Sequence, residues 1–329
     1  FVFPISCFCL FLLPLLLLAL LLLPLILLTL LFKGNRMSYV SNLESNPDST
    51  TESTSAAATT KPKLPVTLST LNKLKANGET FSCLTCYDAS FAAAMQVAAI
   101  DTILIGDSLG MVVQGQTSTL PVTIADMVYH TQNVARANSH ALILCDLPFM
   151  SVATLERALD ASQAVMQAGA HVVKIEGGAE LAEIVSVLAN NGVPTCVHLG
   201  LTPQSVNVFG GYKVQGKTDA QAEKLMADCQ AVVEAGAAIL LLECVPAELA
   251  KKVRDTFPVP VIGIGAGVDC DGQVLVMHDM LGVYTRKPAK FVKDFLTDEH
   301  NETKDITGAF KAYHQAVKDR TFPTPAHSF

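Results

Sequence analysis

ALILCDLPFMSVATLERALDASQAVMQAGAHVVKIE, residues 141–176, contains the unit on which the fold turns. An almost unbroken apolar run ends in Asp146, a Pro-containing loop follows, and residues 154–168 carry apolar side chains at helical spacing. A second apolar run, 171–176, closes on Glu176. Strands buried on both faces read this way, and two of them joined through a helix run parallel, because the crossover returns the chain to the same end.

The unit recurs in both directions. Apolar runs of strand length lie at residues 82–87, 102–106, 141–146, 171–176, 194–199, 238–244, 259–263 and 273–278. Between them, residues 89–99, 124–137, 154–168, 180–190, 220–235 and 247–257 have helical periodicity, while the seventh and eighth runs are too close for a regular helix. Eight such strands predict an α/β fold closed as a (β/α)8 (TIM) barrel. Residues 68–76 predict an extra helix ahead of it, and 291–296 and 306–318 predict C-terminal ones.

The chain has 329 residues, with 30 acidic against 23 basic, and the basic ones are scattered. No electrostatic footprint for nucleic acid emerges, and a small-molecule partner is expected. Nine cysteines, an odd number, lie mostly in apolar runs, as buried thiols of a reducing compartment do. Cys83-Leu-Thr-Cys86 has redox or zinc spacing, but residues three apart on a strand face opposite sides and no second pair follows.

Three regions are expected: a hydrophobic segment at 1–36, a Ser/Thr-rich tail at 37–65 and a catalytic barrel at 66–329. Residues 1–32 carry no charge and are long enough to span a bilayer, which would make them a membrane anchor. Recurrent prolines (Pro4, Pro14, Pro24) and a first methionine only at Met37 favour a leader read as protein. Glu44, Asp48 and Glu52 weigh against a transit peptide, so cytoplasm and mitochondrial matrix both stay open.

Barrel enzymes draw their reacting groups from the C-terminal ends of strands. Here those ends carry Tyr87-Asp88, Asp107-Ser108, Asp146, Lys174 with Glu176, His198, Glu243 and His278-Asp279. Asp107, Asp146 and Glu176 end adjacent strands, and a hard cation such as Mg²⁺ would relieve their mutual repulsion; loop capping is the plainer reading. Lys174, two residues before Glu176, points into the same mouth and needs a carboxylate partner. Glu243 is placed for proton abstraction or for a structural ion pair, and His198 for a substrate contact. Gly263-Ile-Gly-Ala-Gly267 lacks the spacing of a dinucleotide loop and reads as close backbone approach.

The words around these residues resemble the ketopantoate hydroxymethyltransferase family: Gly106-Asp-Ser-Leu-Gly110, Ser118-Thr-Leu-Pro-Val-Thr123, Asp146-Leu-Pro-Phe149, Val173-Lys-Ile-Glu-Gly-Gly178, His198-Leu-Gly-Leu-Thr-Pro-Gln204, Phe209-Gly-Gly-Tyr-Lys-Val-Gln-Gly216 and Leu242-Glu-Cys-Val-Pro246. The resemblance implies a Mg²⁺-dependent barrel, a homo-oligomer, that converts 3-methyl-2-oxobutanoate, 5,10-methylenetetrahydrofolate and water to 2-dehydropantoate and tetrahydrofolate, the entry to pantothenate and coenzyme A. It further implies that Asp107 and Asp146 ligate the metal, with Glu176 completing its shell. Asp107, Ser108, Asp146 and Lys174 would hold the oxo acid, and Glu243 would be the base. Gln116 and Val197 depart from the family pattern at places where it commonly has His and Gly. N-terminal sequencing of the native protein is expected to find nothing before Met37, and recovery of any earlier residue would sink the leader reading.

Overall fold

The computed structural model describes residues 64–284 and 287–329. Its strands are β1 (Phe81–Thr85), β2 (Thr102–Ile105), β3 (Leu142–Asp146), β4 (Val172–Glu176), β5 (Thr195–Gly200), β6 (Ile239–Glu243), β7 (Val261–Ile264) and β8 (Gly272–Leu275). Each pairs in parallel with the next, and β8 closes on β1, so the eight expected strands form one closed barrel. The helices are α1 (Leu68–Ala76), α2 (Ala89–Val97), α3 (Leu109–Val112), α4 (Ile124–Ala137), α5 (Leu155–Gln167), α6 (Ala182–Asn190), α7 (Val206–Phe209), α8 (Asp219–Glu234), α9 (Ala247–Thr256), α10 (Met277–Met280) and α11 (Ile306–Lys318).

Local chemistry sets these boundaries. Thr67, Thr123 and Thr218 each cap a helix through a reciprocal side-chain and backbone pair, and Asp88 accepts from the Ser90 and Phe91 amides at the start of α2. Two expectations fail. Residues 291–296 do not form a helix: Asp294 Oδ1 accepts from the Leu296 and Thr297 amides, and the Phe295 amide is taken by Met280 O. That side chain offers the backbone a turn in place of the helical ladder. The eighth strand stops at Leu275, not His278, because the Met277 amide donates to Thr85 Oγ1 at 2.9 Å and the chain turns into α10.

Strand side chains alternate between two cores. Ile143, Cys145, Val173, Ile175, Val197, Leu240 and Leu242 pack outward under the helices, while Leu142, Leu144, Val172, Cys196, Ile239 and Leu241 fill the barrel. Leu71 of α1 packs with Phe81 in the inner cluster, so the expected N-terminal helix joins the barrel's own core. At the far end of the chain, the buried Tyr313 of α11 donates to Cys83 O and Gln273 O, at 3.0 and 2.7 Å, tying the helix to β1 and β8.

A buried ionic knot holds the N-terminal ends of β7 and β8. Asp271 is fully buried and accepts from Lys75 Nζ (2.8 Å), Arg254 Nε (2.8 Å) and the Val261 amide (3.0 Å). In the Gly263–Gly267 run, Gly267 has φ +86° and a Cβ there would sit 2.6 Å from Ala247 Cβ, which is the close approach expected of it.

Among the described residues no helix is long and apolar enough to cross a membrane. The hydrophobic segment and nearly all of the Ser/Thr-rich tail lie outside the described residues.

Cys83 and Cys86 are both free and buried, and burial pushes each thiol up to about 12. A raised pKa leaves little thiolate at pH 8, on the order of one part in ten thousand, so neither can serve as a ready nucleophile. Iodoacetamide at pH 8, followed by peptide mass spectrometry, is expected to leave both unlabelled in the folded chain and to label both in urea. Rapid native labelling of either would show an open or activated thiol.

Candidate active site

The inward-facing residues of four consecutive strands change from apolar to polar at the same end of the barrel. On β3 the order is Leu142, Leu144, Asp146; on β4 Val172, Lys174, Glu176; on β5 Cys196, His198; on β6 Ile239, Leu241, Glu243. Register then decides who meets whom. Asp146 lies opposite Lys174 and Glu176 opposite His198.

Lys174 Nζ is 2.7 Å from Asp146 Oδ1 and 3.7 Å from Glu176 Oε1, with the lysine side chain only 4% exposed. Burial works against its charge, yet Asp146, Glu176 and Asp107 together raise the ammonium above its ordinary range. His198 continues the chain of charges: Nδ1 is 3.2 Å from Glu176 Oε1, and Nε2 is 3.4 Å from Glu243 Oε2, an ion-pair separation without hydrogen-bond alignment. Nδ1 is also 3.3 Å from Lys174 Nζ, but one protonation state of that nitrogen cannot serve both neighbours. The carboxylate prevails, because Lys174 is already committed to Asp146. Burial and the Lys174 charge pull the imidazole down, but Glu176 and Glu243 outweigh them and carry it up to about 9.

Asp146 Oδ2 accepts the Asp107 amide at 2.9 Å, which joins β2 to the network. The Asp107 carboxyl is raised well above the usual range, first by burial and then by Asp146 and Glu176. Burial would raise Glu176 too, but His198, Lys174 and the Gln204 amide hold it below that range. Ser108 Oγ is 3.0 Å from Tyr87 OH, and the Tyr87 ring lies against His278 with centroids 5.6 Å apart.

The structure therefore brings Asp107, Asp146, Lys174, Glu176, His198 and Glu243 into one linked set, with Tyr87, Ser108 and His278 beside it. Asp88 does not join, since its carboxylate is the cap of α2. The carboxylates are not bare neighbours: Asp146 and Glu176 meet Lys174, while Asp107 Oδ2 accepts from Gln204 Nε2 at 2.8 Å. Among the described residues no group of three or more His, Cys, Asp or Glu is arranged to hold a metal ion. The donor chemistry nonetheless fits a hard cation, because the set is oxygen-rich and the buried Asp146 Oδ1, beyond its ion pair with Lys174, has no hydrogen-bond partner.

Gln204 was not singled out from sequence, although it ends the word His198-Leu-Gly-Leu-Thr-Pro-Gln204. Nothing in residue type marks it: a loop glutamine after a proline reads as solvated polar surface. Gln116 lies in the segment after α3, where its amide donates to Gly110 O, and Val197 faces the outer core. Neither departure touches the charged network.

Fold and site define an α/β barrel enzyme whose ionisable groups are concentrated at the C-terminal ends of β2 to β6. The family model described as ketopantoate hydroxymethyltransferase matches residues 65–325. The 3-methyl-2-oxobutanoate hydroxymethyltransferase of Psychrobacter cryohalolentis is 65% identical over 263 residues, covering 80% of this chain and 99% of the relative. The same-named protein of Acinetobacter baumannii is 62% identical over 265 residues, covering 80% and 98%. The chain belongs to the ketopantoate hydroxymethyltransferase family and is a transferase. Among solved structures, oxaloacetate acetylhydrolase is similar at TM-score 0.52 and 11% identity, covering 68% of this chain and 84% of the other. Phosphonopyruvate hydrolase is similar at TM-score 0.50 and 11% identity, covering 64% and 80%. At that identity the likeness is one of fold.

Replacing Lys174 by Met leaves the shape of the mouth but strands Asp146 and Glu176. Loss of one partner of a buried ion pair costs about 3–5 kcal/mol, and urea unfolding of the metal-free chain should register a decrease of that order. A decrease below about 1 kcal/mol, the scale of an exposed pair, would mean that water already solvates the site.

Proposed function

We propose that the barrel of residues 66–329 transfers a hydroxymethyl group from 5,10-methylenetetrahydrofolate to 3-methyl-2-oxobutanoate, forming 2-dehydropantoate for pantothenate synthesis. What carries this reading is the continuous chain of contacts from Asp107 to Glu243 across five strand ends, in a member of this family. That chain supports the reading because it gathers four carboxylates, an ammonium and an imidazole around one mouth.

In this reading Asp107, Asp146 and Glu176 would hold Mg²⁺. When bound, the cation supplies Lewis acidity, drawing electron density from the oxo group and acidifying the neighbouring C3–H. Ser108 and Lys174 bind the carboxylate and oxo oxygens of the substrate. Tyr87 OH, 3.0 Å from Ser108 Oγ, orients that hydroxyl. Glu243, with its side chain 15% exposed, reaches the mouth and takes the C3 proton. His198 contacts Glu243 and Glu176 at once, so it holds the base and balances its charge. The negative charge that grows on the oxo oxygen is met by the Lys174 ammonium. C3 then bonds to the one-carbon unit carried by the folate, and water releases hydroxymethyl product and tetrahydrofolate.

Purified full chain, incubated with 3-methyl-2-oxobutanoate, 5,10-methylenetetrahydrofolate and Mg²⁺, is expected to yield 2-dehydropantoate by mass spectrometry. Product should vanish when folate is omitted or the cation is chelated. Glu243→Gln, which keeps the shape but loses the base, should lower kcat by about 10²- to 10⁴-fold. Product formed without folate, or a Glu243→Gln chain of full activity, would overturn the donor or the base respectively.

A further inference from the structure

Gln204 has no part in the reaction scheme above, yet it reaches two of the carboxylates in it. Its side-chain Nε2 donates to Asp107 Oδ2 at 2.8 Å and to Leu147 O at 3.0 Å, and its backbone N–H donates to Glu176 Oε2 at 2.9 Å. Both protons of the amide group are thereby used, and the residue's donors meet acceptors just after β2 and β3 and at the last residue of β4. One loop residue ties three strand ends together.

The turn that carries it does not need this reach. Residues Pro203–Ser205 form a single 3₁₀ turn, closed by the Ser205 amide on Thr202 O at 2.9 Å. Folding of the loop is thus provided by backbone bonds, and the glutamine side chain is left to act on Asp107. A carboxylate with one oxygen held by a fixed donor keeps its plane, and hydrogen-bonded partners of this kind behind metal ligands set both their direction and their affinity.

On the reading above, in which Asp107, Asp146 and Glu176 hold the cation, we propose that Gln204 is a positioning residue: its amide fixes the Asp107 carboxylate, and its backbone N–H the Glu176 carboxylate, in the orientation that binds the metal. The loop after β5 then contributes to the metal site without supplying a ligand. Asparagine could not replace it, because its chain is one methylene short of the span from the turn to Asp107 and Leu147.

The test is calorimetric titration of metal-free full chain with Mn²⁺, beside Gln204→Ala and Gln204→Met. Methionine keeps the length and most of the volume but has no donor, so it separates the hydrogen bonds from packing. The unaltered chain is expected to bind, and both variants to bind about 10- to 100-fold more weakly. Their metal-free melting midpoints should stay within about 8 °C of the unaltered chain, a span that covers the loss of a few hydrogen bonds in a domain of this size. Undiminished Mn²⁺ affinity in Gln204→Met would overturn the positioning role and leave the cation reading standing. A larger fall in the metal-free midpoint of both variants would make Gln204 a structural residue and overturn it as well. Absence of Mn²⁺ binding by the unaltered chain would remove the cation reading, and the positioning role with it.

Discussion

The ammonium of Lys174, 4% exposed and 2.7 Å from Asp146, is the constraint around which the barrel mouth is arranged. A charge in that position is tolerable only if paired, and unpaired it would lose its proton or unfold its surroundings. The barrel solves this through register. Because Asp146 stands opposite Lys174 and Glu176 two residues further along the same face, both counter-charges arrive on strands already fixed by backbone bonds. They need little further ordering, so the pairs avoid the entropy that makes surface salt bridges weak. Two carboxylates on one lysine leave an excess of negative charge, which the His198 imidazolium offsets at Glu176, and Glu243 of β6 then meets the same ring.

Much of this was legible before any coordinates. Apolar runs ending in a charged residue gave away the strands, since a strand covered on both sides must be apolar until it leaves the sheet. Period-two alternation placed Lys174 and Glu176 on one face, and the structure agrees. Failures arose where side chains competed locally with the backbone. Asp294 replaced an expected helix by a turn, and Asp88 spent its carboxylate on a cap, although both positions carried plausible patterns. Gln204 was illegible for a different reason: its contacts depend on three other strand ends, and no periodicity encodes them.

Fold and family carry different weight here. Oxaloacetate acetylhydrolase and phosphonopyruvate hydrolase share the barrel at 11% identity, and a barrel shared at that level says nothing of which bond is made or broken. Long family words over residues 65–325 narrow the reaction class, because they fall on the strand ends where chemistry is placed. The outward faces, such as Val173, Ile175 and Val197, serve helix packing and could be shared by many barrels.

Assigning the base follows from the same electrostatics. His198 is the residue usually suspected, but carboxylates at both ring nitrogens carry it up to about 9, so near neutral pH it already holds the proton that a base must lack. Asp107 and Asp146 are committed to each other's neighbourhood, to Gln204 and to Lys174. Glu176 lies between Lys174 and His198. Glu243 meets only His198 within the set, at a separation too long and too oblique for a strong hydrogen bond, and its side chain is 15% exposed. On the reading proposed above, proton abstraction falls to Glu243, the acid most distant along the contact chain from the carboxylates that would bind the cation, an arrangement that would keep electrophile and base from quenching one another.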